Sequence, residues 1–284
     1  MRRDSLLLGF IALALLVLYW PPSLAASGDY AENDQCAACH EEIATAFSRT
    51  THARTDGWGE THQCQACHGP GAAHIEGDGD ISRIVRPGTL NSKESSAICL
   101  ECHSRNSTNF SHDSALHNLG DVSCIDCHNP HEKNPKMLKK VGAELCAQCH
   151  QATVSRFDLP RSHPLAAGEK ACVACHSPHA KASLGMNEGF ATIKCTECHF
   201  EKAGPFIYNH DIGMVEGCQS CHQVHGTSTR HLLKAQRMIE LCYQCHPGTT
   251  TPAFHSATNF LNEKCTACHT AIHGSNTNEF FLEE

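Results

Sequence analysis

The chain is poor in the residues that build an ordinary protein interior. Of its 284 residues 40% are nominally hydrophobic, but 20 of these are cysteines, about 15 more lie in the first twenty positions, and aromatics make up only 6%. A single domain of this length normally buries roughly three quarters of its unfolded surface, chiefly around Leu, Ile, Val and Phe. Here those residues are thin and scattered, so something other than side chains must fill the interior. Beyond Trp20 there is also no apolar run of spanning length. Backbone facing lipid must be satisfied within a helix or a closed barrel, and the mature chain is not expected to cross a bilayer unaided. Excess positive charge is missing too: 22 Lys and Arg stand against 30 Asp and Glu, a formal net charge of -8. Nucleic acid is thereby excluded as a partner, and cationic partners, metal ions or a shielding protein are the electrostatic expectation.

What is present at the N-terminus reads as an export signal. Arg2 and Arg3 precede an apolar run from Leu6 to Trp20, then Pro21, Pro22 and the small-residue site Ser23-Leu24-Ala25. That run would rise about 22 Å as a helix, short of a roughly 30 Å hydrocarbon core. Residues 1–25 are therefore assigned as a cleaved signal peptide and 26–284 as the mature domain. No cysteine precedes Cys36, which leaves no processed N-terminal cysteine to carry lipid.

Twenty cysteines in an exported chain would ordinarily suggest a disulfide framework. The spacing argues otherwise. All twenty fall in pairs two residues apart, each pair followed at once by histidine: Cys36/Cys39/His40, Cys64/Cys67/His68, Cys99/Cys102/His103, Cys124/Cys127/His128, Cys146/Cys149/His150, Cys172/Cys175/His176, Cys195/Cys198/His199, Cys218/Cys221/His222, Cys242/Cys245/His246 and Cys265/Cys268/His269. This order is the chemistry of covalently attached haem c, in which two thioethers fix the macrocycle edge and the adjacent histidine becomes the proximal iron ligand. Ten such groups are expected. A zinc-ribbon reading would need paired motifs sharing four thiolates, and it leaves ten trailing histidines unexplained.

The motifs repeat in twos. First cysteines of alternate motifs lie at 36, 99, 146, 195 and 242, those of the intervening motifs at 64, 124, 172, 218 and 265, with a period of 46 to 49 residues after the first step. Such a period marks an array of supersecondary units: two-haem repeats over approximately 33–94, 95–141, 142–190, 191–237 and 238–284. Thirteen histidines lie outside the motifs, and ten occupy equivalent places. His52, His117, His163, His210 and His255 lie between the two motifs of a repeat; His74, His131, His179, His225 and His273 follow the second. They are candidate distal ligands. Those three or four residues beyond a proximal histidine are expected to serve a neighbouring motif, because the proximal face of their own iron is taken. His117 is preferred over His112, and His62 and His231 have no counterparts and are read as structural or exposed. Met137, Met186, Met214 and Met238 occupy no recurrent position, so bis-histidine, low-potential haems are expected.

Leucine periodicity predicts helices over Met137–His150 and His231–His246. The Gly/Asp-rich stretch from Glu76 onward reads as a surface loop. About 26 residues per haem are too few to wrap each in its own pocket, so the expected fold is mostly α and irregular, elongated, with a haem-packed core that is unfolded without haem.

These residues resemble the decahaem MtrA/DmsE family with its MtoA- and PioA-like iron-oxidation members. The likeness is carried by Cys67-His-Gly-Pro-Gly-Ala-Ala-His74, Cys-His-Asn-Pro-His131, Cys-His-Ser-Pro-His179, Gly204-Pro-Phe with His210, Cys-His-Gln-Val-His-Gly226 and Cys-His-Thr-Ala-Ile-His-Gly-Ser275. The resemblance implies a periplasmic electron-transfer protein, not an enzyme, seated in an outer-membrane β-barrel porin and exchanging electrons with a periplasmic or inner-membrane cytochrome and an extracellular multihaem cytochrome. The DmsE branch implies instead a carrier feeding a terminal reductase such as dimethyl sulfoxide reductase.

Overall fold

A computed structural model describes residues 29–54, 63–103, 116–164, 172–179, 194–210, 217–247 and 264–283. All ten motifs fall within them. The chain divides into two compact units, one of Met1–Cys99 with Pro130–Lys133 and the other of Leu100–Asn129 with Asn134–Glu284.

Short helices and turns make up nearly all of the regular structure. The first unit contains α1 (Asn33–Cys39), α2 (Glu41–Phe47), α3 (Gln65–His68) and α4 (Ala72–Glu76), and α5 (Ser92–His103) runs through the division. In the second lie α6 (Leu116–Leu119), α7 (Cys124–Cys127), α8 (Ala143–Ala147), α9 (Gln151–Val154) and α10 (Met238–Cys242). Strands β1 (Tyr208–Asn209) and β2 (Gly274–Ser275) pair antiparallel.

The motif itself sets the element length. Outside α5, every proximal histidine donates its backbone N–H to the carbonyl of the first cysteine of its motif, at 2.8–3.1 Å. This closes one α-turn and places the two thiols three residues apart on a single face. Local caps fix where the turns begin. Ser123 and Asp126 form a capping box at α7, with Ser123 N–H donating to the Asp126 carboxylate at 2.7 Å. Buried Gln65 ties the N-terminal segment to α3: its Oε1 accepts from Ala31 N–H at 2.9 Å and Gly71 N–H at 2.8 Å, and its Nε2 donates to the Ala31 carbonyl at 2.7 Å.

The two long helices expected from leucine spacing are mostly not formed. Short 3-10 segments at Pro135–Met137 and Arg230–Leu232 are followed by turn and extended chain as far as Gly142 and Arg237, leaving only α8 and α10 as α-helix. Gly142 at φ 61° starts α8, while Lys136, Met137, His231 and Leu232 all lie at φ 54–56°. Tertiary hydrogen bonds described below hold these stretches out of helix.

Among the described residues the buried apolar side chains are Leu241 and Ala271, whereas Phe200 is 76%, Ile207 70% and Leu119 64% exposed. The side chains alone make no hydrophobic core. No helix of the described residues is long and apolar enough to cross a membrane.

Candidate haem-binding sites

Eight proximal histidines face a second histidine. Ring centres are 6.0–6.4 Å apart in the pairs His40/His74, His68/His131, His117/His150, His128/His179, His163/His199, His176/His225, His210/His246 and His222/His273. An imidazole nitrogen bonds a first-row metal at about 2.0 Å and lies about 1.1 Å from its ring centre, so trans imidazoles on one metal stand about 6.2 Å apart. The observed spacing therefore fits one iron between each pair.

The pairs obey a rule. His131, His179, His225 and His273 stand opposite the second-motif histidine of the preceding repeat; His117, His163 and His210 stand opposite the first-motif histidine of the following one. His74 has no earlier repeat to serve and turns back to His40 of its own. His52 is half-buried on a one-turn helix, His52–Arg54. His255, like His62 and His112, lies outside the described residues.

Main-chain carbonyls orient many of these rings. Nδ1–H of His68 donates to the Val85 carbonyl at 2.8 Å, of His128 to Lys136 at 2.9 Å, of His222 to His231 at 2.8 Å and of His269 to Phe280 at 2.6 Å. Among the distal candidates, His74 donates to the Asp80 carbonyl at 2.9 Å, His117 to Pro178 at 3.3 Å and His163 to Val224 at 2.7 Å. A carbonyl can only accept, so Nδ1 carries the hydrogen and the Nε2 lone pair is left for iron.

Two features of this shell carry little sequence signal. The Gly/Asp-rich loop after Glu76 brings in both Asp80 and Val85, so it holds His74 and His68. A strap following motifs four and eight is the second. His128 bridges Leu138 and His222 bridges Leu233; Lys139 N–H donates to the Cys127 carbonyl and Lys234 N–H to Cys221, both at 2.9 Å. His231, without counterpart among the histidines, matches Lys136 through its backbone. The resemblance of Lys136-Met-Leu-Lys139 to His231-Leu-Leu-Lys234 was the available clue. Phe47, Phe157 and Phe281 lie edge-on to His131, His225 and His210 at 5.6–6.4 Å.

The attachment cysteines differ in how far the polypeptide covers them. The first cysteine of every motif is half-buried, but the second is exposed in seven of them: Cys39, Cys102, Cys149, Cys175, Cys198, Cys245 and Cys268. Only Cys67, Cys127 and Cys221 among the second cysteines are half-buried. The chain after the motif accounts for the difference. Val85 N–H donates to the His68 carbonyl at 2.9 Å, and the Lys139 and Lys234 bonds cross Cys127 and Cys221, so returning main chain lies over those three motifs. At the other seven the second thiol sits near the end of its helix or turn, where the polypeptide does not fold back over it.

Burial favours the neutral form of several of these groups. Burial, reinforced by neighbouring His68 and His150 respectively, pulls His131 and His176 below the ordinary histidine range; burial, His176 and Arg156 do the same for His225. All twenty cysteines are unbridged and none is fully buried. In four of the repeats the first cysteines of the two motifs interact: burial and Cys146 push the Cys172 thiol up to about 11, burial and Cys265 push Cys242 up to about 11, and burial with Cys36 raises Cys64. A hydrogen bond with Cys218 raises Cys195. Among the described residues no cluster of three or more His, Cys, Asp or Glu is arranged to hold a bare metal ion.

Residues 117–155 and 210–251 match the doubled CXXCH motif family. The chain is 31% identical over 277 residues to the multiheme cytochrome MtrA of Shewanella baltica (strain OS185), covering 88% of this chain and 81% of that protein. It belongs to the MtrA family of multihaem cytochromes. Family membership and the motifs together support covalently bound c-type haem and an electron-transfer role.

Proposed function

We propose that the chain is a decahaem conductor, exported by the signal peptide 1–25, resident in the periplasm and held in an outer-membrane β-barrel porin, where it passes electrons between the cell and an extracellular iron couple. The observation that carries this reading is the imidazole pairing: seven of the eight pairs join different repeats, so sites are completed between repeats along the chain. Each bound haem supplies one-electron carriage at its iron.

The chain's own residues do the rest. The ten cysteine pairs would hold ten haems in sequence order through thioether bonds, and the proximal and distal histidines would ligate each iron, leaving no ligand place for substrate. This favours conduction over catalysis. The five repeats of the mature domain, 26–284, then form one series. The porin arm rests on the family resemblance, and the acidic charge fits a protein sheathed by another. Periplasmic or inner-membrane cytochromes on one side and an extracellular multihaem cytochrome on the other would exchange electrons with it.

The test is to solubilise outer membranes in mild detergent and look for a barrel protein co-purifying with the haem-stained chain, then to ask whether electrons cross liposomes only when both are present. Release by osmotic shock without a porin would replace this reading with a soluble carrier feeding a terminal reductase.

A further inference from the structure

The eight imidazole pairs are not alike. Six are near-parallel, with interplanar angles of 8–26°. Two are crossed: His117/His150 at 58° and His163/His199 at 63°. These are equivalent sites, the first motifs of the third and fourth repeats.

They also share an anchor. His117 Nδ1–H donates to the Pro178 carbonyl, and His163 Nδ1–H to the Val224 carbonyl. Each acceptor immediately precedes the distal histidine of a different pair, His179 or His225. At the second site the anchor is braced: Arg161 and Thr227 exchange backbone hydrogen bonds at 3.1 and 2.8 Å. Gly226, at φ 153°, lets this segment lie against the Arg156 carbonyl, where a Cβ would collide.

We infer that the Pro178 and Val224 carbonyls are positioning groups that cross the ligand planes at the haems of Cys146/Cys149 and Cys195/Cys198, making these two interior haems higher in potential than the six near-parallel ones. The reason is orbital. Parallel imidazoles donate into the same iron dπ orbital, separate it in energy from its partner and stabilise the ferric ion. Crossed imidazoles share the donation between both orbitals, leave them nearly degenerate and stabilise ferric iron less. Two interior stations would then fill first as electrons enter. This rests on the axial-ligand reading above.

Electron paramagnetic resonance of the oxidised holoprotein separates the cases, because crossed ligands give a highly anisotropic low-spin signal and parallel ones a rhombic signal. The expected result is two to four irons per chain in the anisotropic class, the upper limit admitting the His103 and His269 sites. That signal should vanish before the rhombic one in a stepwise reduction, and Gly226→Ala, by displacing Val224, should convert one iron from anisotropic to rhombic. An oxidised spectrum with fewer than two anisotropic irons, or more than four, overturns the inference even if the variant fails to fold. So does an anisotropic signal that disappears last, or one unchanged in a folded Gly226→Ala protein. High-spin iron throughout would instead sink the ligand-pair reading beneath it.

Discussion

Within one repeat the same pentapeptide is used in two ways. At three first motifs the proximal histidine ends one helical turn and begins another stretch of helix: His40 precedes α2, His150 precedes α9 and His199 precedes the turn Phe200–Lys202. At second motifs the chain leaves the histidine extended and returns with a carbonyl, as Lys136 does to His128 and His231 to His222. Where the carbonyl holds the proximal ring at second motifs, at the first-motif sites His40/His74, His117/His150 and His163/His199 it holds the distal one. Thiol cover follows this division in part: every first motif leaves its second cysteine exposed, whereas the second motifs split between half-buried Cys67, Cys127 and Cys221 and exposed Cys175 and Cys268. The lesson is that the motif supplies attachment and ligand identity, while the chain that follows decides which axial ring is clamped. One orienting hydrogen bond on a ligand is enough to fix its tautomer and plane.

Withholding haem should have the largest effect on both kinds of site. With Leu241 and Ala271 the buried apolar residues among those described, a chain exported without haem attachment should lose both kinds of site together, and its circular dichroism should show no cooperative melt. Retention of a cooperative transition would mean that the polypeptide carries a core of its own. Less drastic is removal of one distal ring. His225→Ala should leave one iron per chain high-spin at the Cys172/Cys175 site, and His163→Ala one at Cys195/Cys198. Loss of a near-parallel signal in the first variant and a crossed one in the second would show that each histidine serves a different repeat from its own.

Much of this was legible in the sequence, for reasons that differ by residue. The thiols and proximal histidines announce themselves because attachment chemistry demands a fixed local spacing. The exposure of Cys149 or Cys198 against the cover over Cys127 or Cys221 was not legible, because it depends on where the following chain returns. The distal set is visible because it recurs at the repeat period. The partners of individual rings were not, since they depend on which repeats meet. The straps failed for a sharper reason. Leu138, Val141 and Leu145 keep helical spacing, but Lys136 and Met137 are turned to positive φ so that a carbonyl reaches His128, and nothing in a Lys-Met dipeptide signals a left-handed backbone. Likewise the Gly/Asp-rich loop reads as surface by composition, and its service to His68 and His74 lies in its main chain.

Smaller effects sharpen the contrast. Gly226→Ala should destabilise by about 1–3 kcal/mol, since a Cβ at φ 153° meets backbone and not a yielding side chain. Differential scanning calorimetry should register this as a fall of roughly 3–10 °C in Tm. Lys136→Gly or His231→Gly, which keep the carbonyl and relieve the left-handed backbone, should change stability by no more than about 1 kcal/mol and leave the spectra as they were. A large spectral change in either would show that the side chain, not the carbonyl, holds the proximal ring.

Every motif is proposed to carry a haem whose iron is held by two histidines. Near-infrared magnetic circular dichroism of the oxidised holoprotein tests it most directly, because the ligand-to-metal band reports axial ligation iron by iron. Bis-histidine intensity amounting to ten low-spin haems per chain is the predicted result. A band from histidine–methionine ligation, or high-spin intensity worth one iron or more, would contradict it.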